Sequence, residues 1–317
     1  MINSGFWGKL KKPALPGTSR GRPIMCLAPM ADVTDCAFRQ IIAKYSLHGE
    51  AGGGPDVFWT EFVSADGLAH PIAREKLLID FIYGENERPI VAQIFGSKPE
   101  NIKTAAALCK ELGFDGIDIN MGCPDKSIEK QCSGAAMIKN PALAREVIRA
   151  AIVGGGGLPV SVKTRIGYNK NEIETWIPEL LKEDIAALTV HLRTRKEMSD
   201  VPAHWDLMKR VVEIRDELKR DTLILGNGDA TDIEDAKKKV AETGCDGVML
   251  GRAIFGNPWL FADSPHPPPS PGEEKGLSTL AFQERVRVRL SVMVEHTKLF
   301  EEKLGKHKNF AIMKKHY

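Results

Sequence analysis

The stretch Ile117-Asp118-Ile119-Asn120-Met121-Gly122-Cys123-Pro124, running on to Gly134-Ala135-Ala136, decides the fold. A short apolar run ends in Asn120 and breaks at once into a Gly-Cys-Pro turn. This is the pattern of a buried strand that delivers a thiol at its carboxyl end, where α/β folds keep their chemistry. Pro124 fixes the backbone behind Cys123, and Gly122 permits close approach of a ligand. A lone cysteine is more often a small apolar filler in a tight turn. The choice between the two readings therefore rests on what surrounds it.

Working outward from 116–120, similar runs recur at 24–28, 57–60 and 90–95 before it, and at 159–164, 186–191, 222–226 and 247–251 after it. Most are continuously apolar, as expected of parallel strands buried on both faces. Segments with helical periodicity lie between them at 34–46, 99–112, 141–153, 204–219 and 231–243. Several open on Pro or a capping residue and close on Gly, the expected polarity of helix ends. Eight strand–helix units over this length predict an α/β fold of the (β/α)8 TIM-barrel type. An open doubly wound sheet is the second choice. Three segments interrupt the pattern: 13–23, 49–55 and the Pro-rich 263–276.

The expected organisation is a catalytic barrel over 1–262, a Pro-rich linker over 263–280 and a basic helical segment over 281–317. In the last segment Phe282, Val286, Leu290, Met293, Phe300 and Leu304 recur at helical spacing, and a second helix begins near Lys308. It holds nine Lys/Arg and four Glu, a net of +5 against +2 for the whole chain of 317 residues, so the rest is slightly acidic. A basic appendage on such a body suits a polyanionic partner, or simply a solvated helix face.

Composition, at 43% hydrophobic and 27% charged residues, is that of a globular enzyme. No apolar run reaches the roughly 18 residues of a membrane span, and residues 1–12 lack a signal-peptide core. A cytoplasmic protein is expected, and a monomer. The six cysteines (26, 36, 109, 123, 132 and 245) form no Cys-x-x-Cys pair and no zinc-type cluster, so no metal site is expected. Cys26 and Cys109 read as core residues.

In such a barrel the strand carboxyl ends share one mouth. Collected there in order are Ala28-Pro29-Met30, Thr60-Glu61, Gln93, Asn120 with Cys123, Lys163 with Arg165, His191 with Arg193 and Arg195, Asn227 with Asp229, and Gly251-Arg252. The last two loops are where barrels commonly hold phosphate. A lysine aimed into the mouth needs an anion or a carbonyl-rich ligand; Glu61 or Asp229 could instead pair with Lys163 or His191. Gln93, Lys163, His191 and Asn227 together suit a flat heteroaromatic such as a flavin.

At this point the chain resembles the tRNA-dihydrouridine synthases over roughly residues 24–262. The resemblance rests on Ala28-Pro29-Met30, Thr34-Asp35, Phe38-Arg39, Thr60-Glu61, Gln93-Ile94-Phe95-Gly96, the Asn120-to-Pro124 block with Gly134-Ala135, Lys163-Thr164-Arg165, His191-Leu192-Arg193-Thr194, Gly226-Asn227-Gly228-Asp229 and Gly251-Arg252. It implies non-covalent FMN, NADPH as reductant, and reduction of the uracil C5–C6 bond in tRNA. It further implies Pro29, Met30, Gln93, Lys163, His191, Asn227, Gly228, Gly251 and Arg252 as cofactor contacts. Cys123 falls on the catalytic acid, with Asn120 beside it. Lys163, Arg165 and Arg193 are expected to stabilise the developing oxyanion or to hold RNA phosphate, and Arg195 to contact substrate or RNA. Lys314 and Lys315 lie in what resembles the opening of a tRNA-binding helical domain, present here in part. An FMN barrel acting on a free pyrimidine, as in dihydroorotate dehydrogenases, and a non-catalytic tRNA-binding barrel are the alternatives.

Overall fold

The computed structural model describes residues 5–10, 22–262 and 279–316, with the side chains of 279–285 outside that description. Its strands are β1 (Ile24–Leu27), β2 (Phe58–Trp59), β3 (Val63–Ser64), β4 (Ile90–Phe95), β5 (Gly116–Met121), β6 (Val160–Arg165), β7 (Ala187–His191), β8 (Leu223–Asn227) and β9 (Gly247–Leu250). They pair in parallel in the order β1-β9-β8-β7-β6-β5-β4-β2, with β3 also on β4. A single parallel bridge from Cys26 to Val57 joins β1 to the segment leading into β2. The eight-position TIM barrel is thus nearly closed.

Strand alternation divides the side chains into two sets. Ile117, Ile119, Val160, Val162, Leu188, Val190 and Ile224 face outward and pack under the helices. Ile24, Cys26, Trp59, Val91, Ala187, Leu225 and Met249 face inward and fill the barrel. A helix missed in the sequence, Gly5–Leu10, closes the amino-terminal end: Trp7 enters the inner core against Trp59, with ring centroids 5.9 Å apart. The inward positions change character along the axis, from apolar at that end to polar toward the carboxyl ends, where Asp118, Asn120, Lys163, His191 and Asn227 lie.

Most expected helices form, at Cys36–Tyr45, Pro99–Glu111, Pro141–Gly155, Met208–Glu217 and Ile233–Thr243. The Asp35 carboxylate caps the first by accepting from Phe38 N, and Asn140 Oδ1 caps the third, which has Pro141 in its first turn. Helix Ile173–Leu181 escaped notice because Pro178 lies inside it. The second expected strand, 57–60, forms as the shorter β2, and after Thr60, Glu61 and Phe62 a further short strand, β3, adds to β4. Cys26 and Cys109 are core residues, both fully buried. The expected linker at 263–280 falls almost wholly outside the described residues, as does most of 13–23.

The C-terminal segment forms one long helix, Thr279–Leu304, and a 3-10 turn, Phe310–Lys315. Phe300, Leu304 and Met313 bury against Cys36 and Ala37, so the segment docks on the helix after β1. Between its two elements Lys308 reaches the barrel mouth. Its ammonium lies 2.6 Å from Glu61 Oε2 and 2.7 Å from Asp80 Oδ1, with side chains 12%, 6% and 23% exposed. Burial works against the Lys308 charge, and the two carboxylates override it, so its pKa lies above the ordinary value. Among the described residues no helix is long and apolar enough to cross a membrane.

Candidate active site

Cys123 stands just past β5, half-buried, on a turn in which the backbone N–H and carbonyl of both Gly122 and Cys123 are hydrogen-bonded. Asn120 Oδ1 accepts from Gly122 N (3.1 Å) and Cys123 N (2.9 Å). The Gly122 carbonyl accepts from Arg165 Nε at 2.8 Å, and the Cys123 carbonyl from Ala135 N at 2.9 Å. That last contact explains Gly134, whose φ is +61° and where a Cβ would stand 2.6 Å from the Cys123 carbonyl oxygen. The thiol is held on a rigid mount. Burial pushes its pKa up, so it carries its proton at neutral pH.

Beside it lies a cavity of about 220 Å³ lined by Pro29, Met30, Lys163, His191, Asn227, Gly228, Gly251 and Arg252. Lys163 Nζ lies 3.2 Å from Asn227 Oδ1, and Asn227 Nδ2 donates to the Met249 carbonyl at 2.8 Å. Burial, with Arg165 nearby, lowers the Lys163 pKa to about 8. His191 Nε2 sits 3.2 Å from Arg193 Nη1. A guanidinium only donates, so Nε2 accepts and the ring's proton is on Nδ1. Burial, together with Lys163 and three arginines, holds its pKa well below 6.5, so the ring is neutral.

The loops after β8 and β9 both reach this cavity, as the phosphate reading requires. Asp229 does not pair with Lys163 or His191. Its carboxylate accepts from Arg193, from Arg252 Nη2 at 2.7 Å and from Ala203 N at 2.8 Å. Glu61 likewise turns away, to Lys308 and to Asp32 N. Lys163 and His191 therefore face the cavity without a carboxylate partner of the kind the sequence suggested. At Gly251 a Cβ would lie 3.7 Å from Ala28 Cβ and 3.8 Å from Met30 Sδ, between two other lining residues. A concave wall of this kind, with a buried cation, a neutral imidazole and a side-chain amide, fits a planar ligand rich in carbonyls and ring nitrogens.

Gln93 is fully buried below the mouth; its amide is bonded to Asp118 and Asn120. The arginines are engaged with protein. Arg165 is buried and donates to the carbonyls of Gly122, Thr194 and Met198. Arg193 is buried against Val201 O, His191 and Asp229. Arg195 pairs with Glu129 and lies over the Tyr168 ring at 5.5 Å. Lys315 Nζ is 3.1 Å from Asp32 Oδ2 and half-exposed, and Lys314 is exposed. Sequence reasoning missed Asp118 and Lys308. The first looked like one more residue of a buried strand, and the second like one basic residue among nine.

Barrel and mouth together define an α/β-barrel enzyme with its ligand pocket at the strand carboxyl ends. Solved structures share the barrel fold: morphinone reductase matches at TM-score 0.52 and 16% identity, covering 80% of this chain and 86% of that one. A 2-naphthoyl-CoA reductase complex with 2-naphthoyl-CoA matches at 0.54 and 14%, covering 80% and 51%. The model of the dihydrouridine synthase family matches residues 26–317. The chain is 45% identical over 265 residues to a probable tRNA-dihydrouridine synthase 2 of Bacillus subtilis (strain 168), covering 83% of this chain and 76% of the relative. It is 40% identical over the same length to a probable tRNA-dihydrouridine synthase of Staphylococcus aureus (strain COL), covering 83% and 75%. The chain belongs to the dihydrouridine synthase family.

Proposed function

We propose that this protein reduces the C5–C6 bond of uridine in tRNA to dihydrouridine, with FMN in the cavity and NADPH as the source of electrons. The observation that carries the reading is the pairing of that cavity with a protonated, rigidly mounted thiol at the same barrel mouth. Held by Lys163, His191, Asn227 and Arg252, a flavin would supply hydride chemistry toward C6 of the uracil.

The chain's own groups do the rest. Cys123 gives its Sγ proton to C5 from the opposite ring face; a general acid must start protonated, and the upward pKa shift keeps the thiol so, where a nucleophilic thiol would need the reverse. The half-buried sulfur then recovers a proton from solvent. Asn120 fixes the turn that aims it. Lys163, Asn227 and the Nδ1–H of His191 offer a cation and two neutral polar groups to the cofactor's carbonyl and ring-nitrogen edge. The amide groups of Gly228 and Gly251 and the Arg252 guanidinium offer donors to its phosphate. Arg165 and Arg193 act by positioning: Arg165 Nε and Nη1 hold three backbone carbonyls, and Arg193 holds the Val201 carbonyl, His191 and Asp229. RNA contacts fall to the more exposed Arg195, Lys314 and Lys315. The target uridine must leave its stack to reach the mouth. A cytoplasmic site of action follows from a tRNA substrate.

The test is anaerobic. The purified protein is reduced with NADPH, unmodified tRNA is added, and the flavin's visible absorbance is followed. Reoxidation by tRNA and not by free uracil or orotate is the expected result. Turnover of the free pyrimidine would favour the dihydroorotate-type alternative, and tRNA binding without flavin would favour a non-catalytic barrel.

A further inference from the structure

Behind Cys123 runs a chain of side-chain amides whose orientation can be worked out link by link. It starts from two fixed donors, the backbone N–H groups of Gly122 and Cys123. Donors must meet an acceptor, so the Asn120 oxygen faces them. The Asn120 Nδ2 group therefore points the other way, toward Gln93, and must meet that residue's oxygen; the distance to Gln93 Oε1 is 3.1 Å. Gln93 Nε2 is then turned down into the barrel and needs an acceptor in its turn. It meets Asp118 Oδ2 at 2.7 Å. All three side chains are buried, Gln93 and Asp118 completely.

We infer that Asp118 is a positioning residue for the proton transfer: it is the terminal acceptor that locks the amide direction of Gln93, which together with the two backbone donors at the other end holds Asn120, and so the mount of the Cys123 thiol. An apolar residue at 118 would leave Gln93 free to turn over. Its Nε2 would then face Asn120 Nδ2, donor against donor, and Asn120 could relieve the clash only by presenting its own Nδ2 to the two backbone donors. The inference rests on the assignment of Cys123 as proton donor.

What the chain needs from position 118 is an oxygen that accepts; the carboxylate's charge acts separately, favouring the protonated form of nearby Lys163. Ser161 makes this separable. Its Oγ donates to Asp118 Oδ1 at 2.6 Å and has a second acceptor, the Ile117 carbonyl, at 3.3 Å. With Asn at 118, the amide oxygen can face Gln93 while Nδ2 donates to Ser161 Oγ, whose proton turns to Ile117. The relay then survives without the charge.

The experiment uses NADPH-reduced holoenzyme and measures oxidation by saturating unmodified tRNA, with oxidation by dioxygen as the reference that needs no proton from Cys123. Asp118→Asn is expected to stay within about threefold of wild type, and Asp118→Leu to fall about thirtyfold, the scale of a misdirected buried hydrogen bond. Half-saturating tRNA and the dioxygen rate should not change. Equal losses in the two variants would assign the role to charge and overturn the inference, as would a wild-type rate in Asp118→Leu. Should Asp118→Leu not fold, Ser161 decides. Ser161→Ala alone should be mild, but combined with Asp118→Asn it should cost about tenfold more than the product of the single effects. Multiplicative effects there would overturn the inference. A wild-type protein whose flavin tRNA does not oxidise would refute the functional reading itself, whatever the variants do.

Discussion

Asn120 Oδ1 lies 2.9 Å from the backbone nitrogen of Cys123 and bonds it together with that of Gly122. The residue ending the strand thereby dictates the geometry of the residue that does the chemistry. Replacing Asn120 by Ala removes the acceptor from two N–H groups, one buried and one half-buried. A loss of about 2 kcal/mol in transition-state stabilisation, or about thirtyfold in the rate of tRNA-driven flavin oxidation, is expected. Flavin content should be unchanged, as absorbance per protein will show.

Cys123→Ala removes the proton donor and leaves the cavity walls intact. Dihydrouridine formation should fall by about 10² or more, the usual worth of a general acid, while flavin and tRNA still bind. Cys132→Ser is the control. Cys132 is exposed and free, and its loss should leave the rate unaltered. Mass spectrometry of the tRNA measures both.

Lys163 supplies a pH signature with two opposite signs. Its ordinary pKa of 10.5 is lowered to about 8 by burial in the cofactor-free protein. Between those values the unfolded chain holds the proton and the folded one does not, so stability rises with pH across that window. Affinity for a flavin drawn to the cation falls as pH climbs through about 8. Both slopes should be lost in Lys163→Met, so that they stand out in the difference between wild type and that variant. Thermal melts without cofactor and flavin fluorescence titrations are the two measurements.

Gly251→Ala tests the cavity wall. The added Cβ meets its neighbours at ordinary contact distance, 3.7 Å and 3.8 Å, so the fold tolerates it. It occupies space that the ligand needs. A melting temperature near wild type with clearly weaker flavin binding is expected, read by calorimetry and fluorescence.

Lys308→Met leaves Glu61 and Asp80 facing each other without their cation. Breaking a buried pair in this way costs about 3 kcal/mol, measurable in urea. Glu61→Gln in the same protein should recover part of the loss, because the uncompensated charge is gone.

The barrel was legible in the sequence because its strands are buried on both faces and its helices carry clear ends. Nothing comparable marks Gly5–Leu10, whose single buried tryptophan has no periodic company, or Ile173–Leu181, whose internal proline argues against it. At the mouth, residue types at strand ends were readable, since a (β/α)8 order places them in one ring. Pairing was not. Asp229 might have met any nearby cation, and only the three-dimensional arrangement shows that Arg193 and Arg252 take it. The Asp118–Gln93–Asn120 chain was hidden for a related reason. It crosses between strands, and strand register is not written in any one of them.

Glu61 serves two clients with its two oxygens. One accepts from Asp32 N, in the loop that continues from Met30 at the cavity, and the other holds Lys308 from the far end of the chain. Cutting the chain back to the barrel would therefore do more than remove a surface for RNA. It would strip a buried carboxylate of its counter-ion and slacken the loop beside the cofactor. A shortened version that loses activity would say little about tRNA affinity until its flavin content had been weighed first.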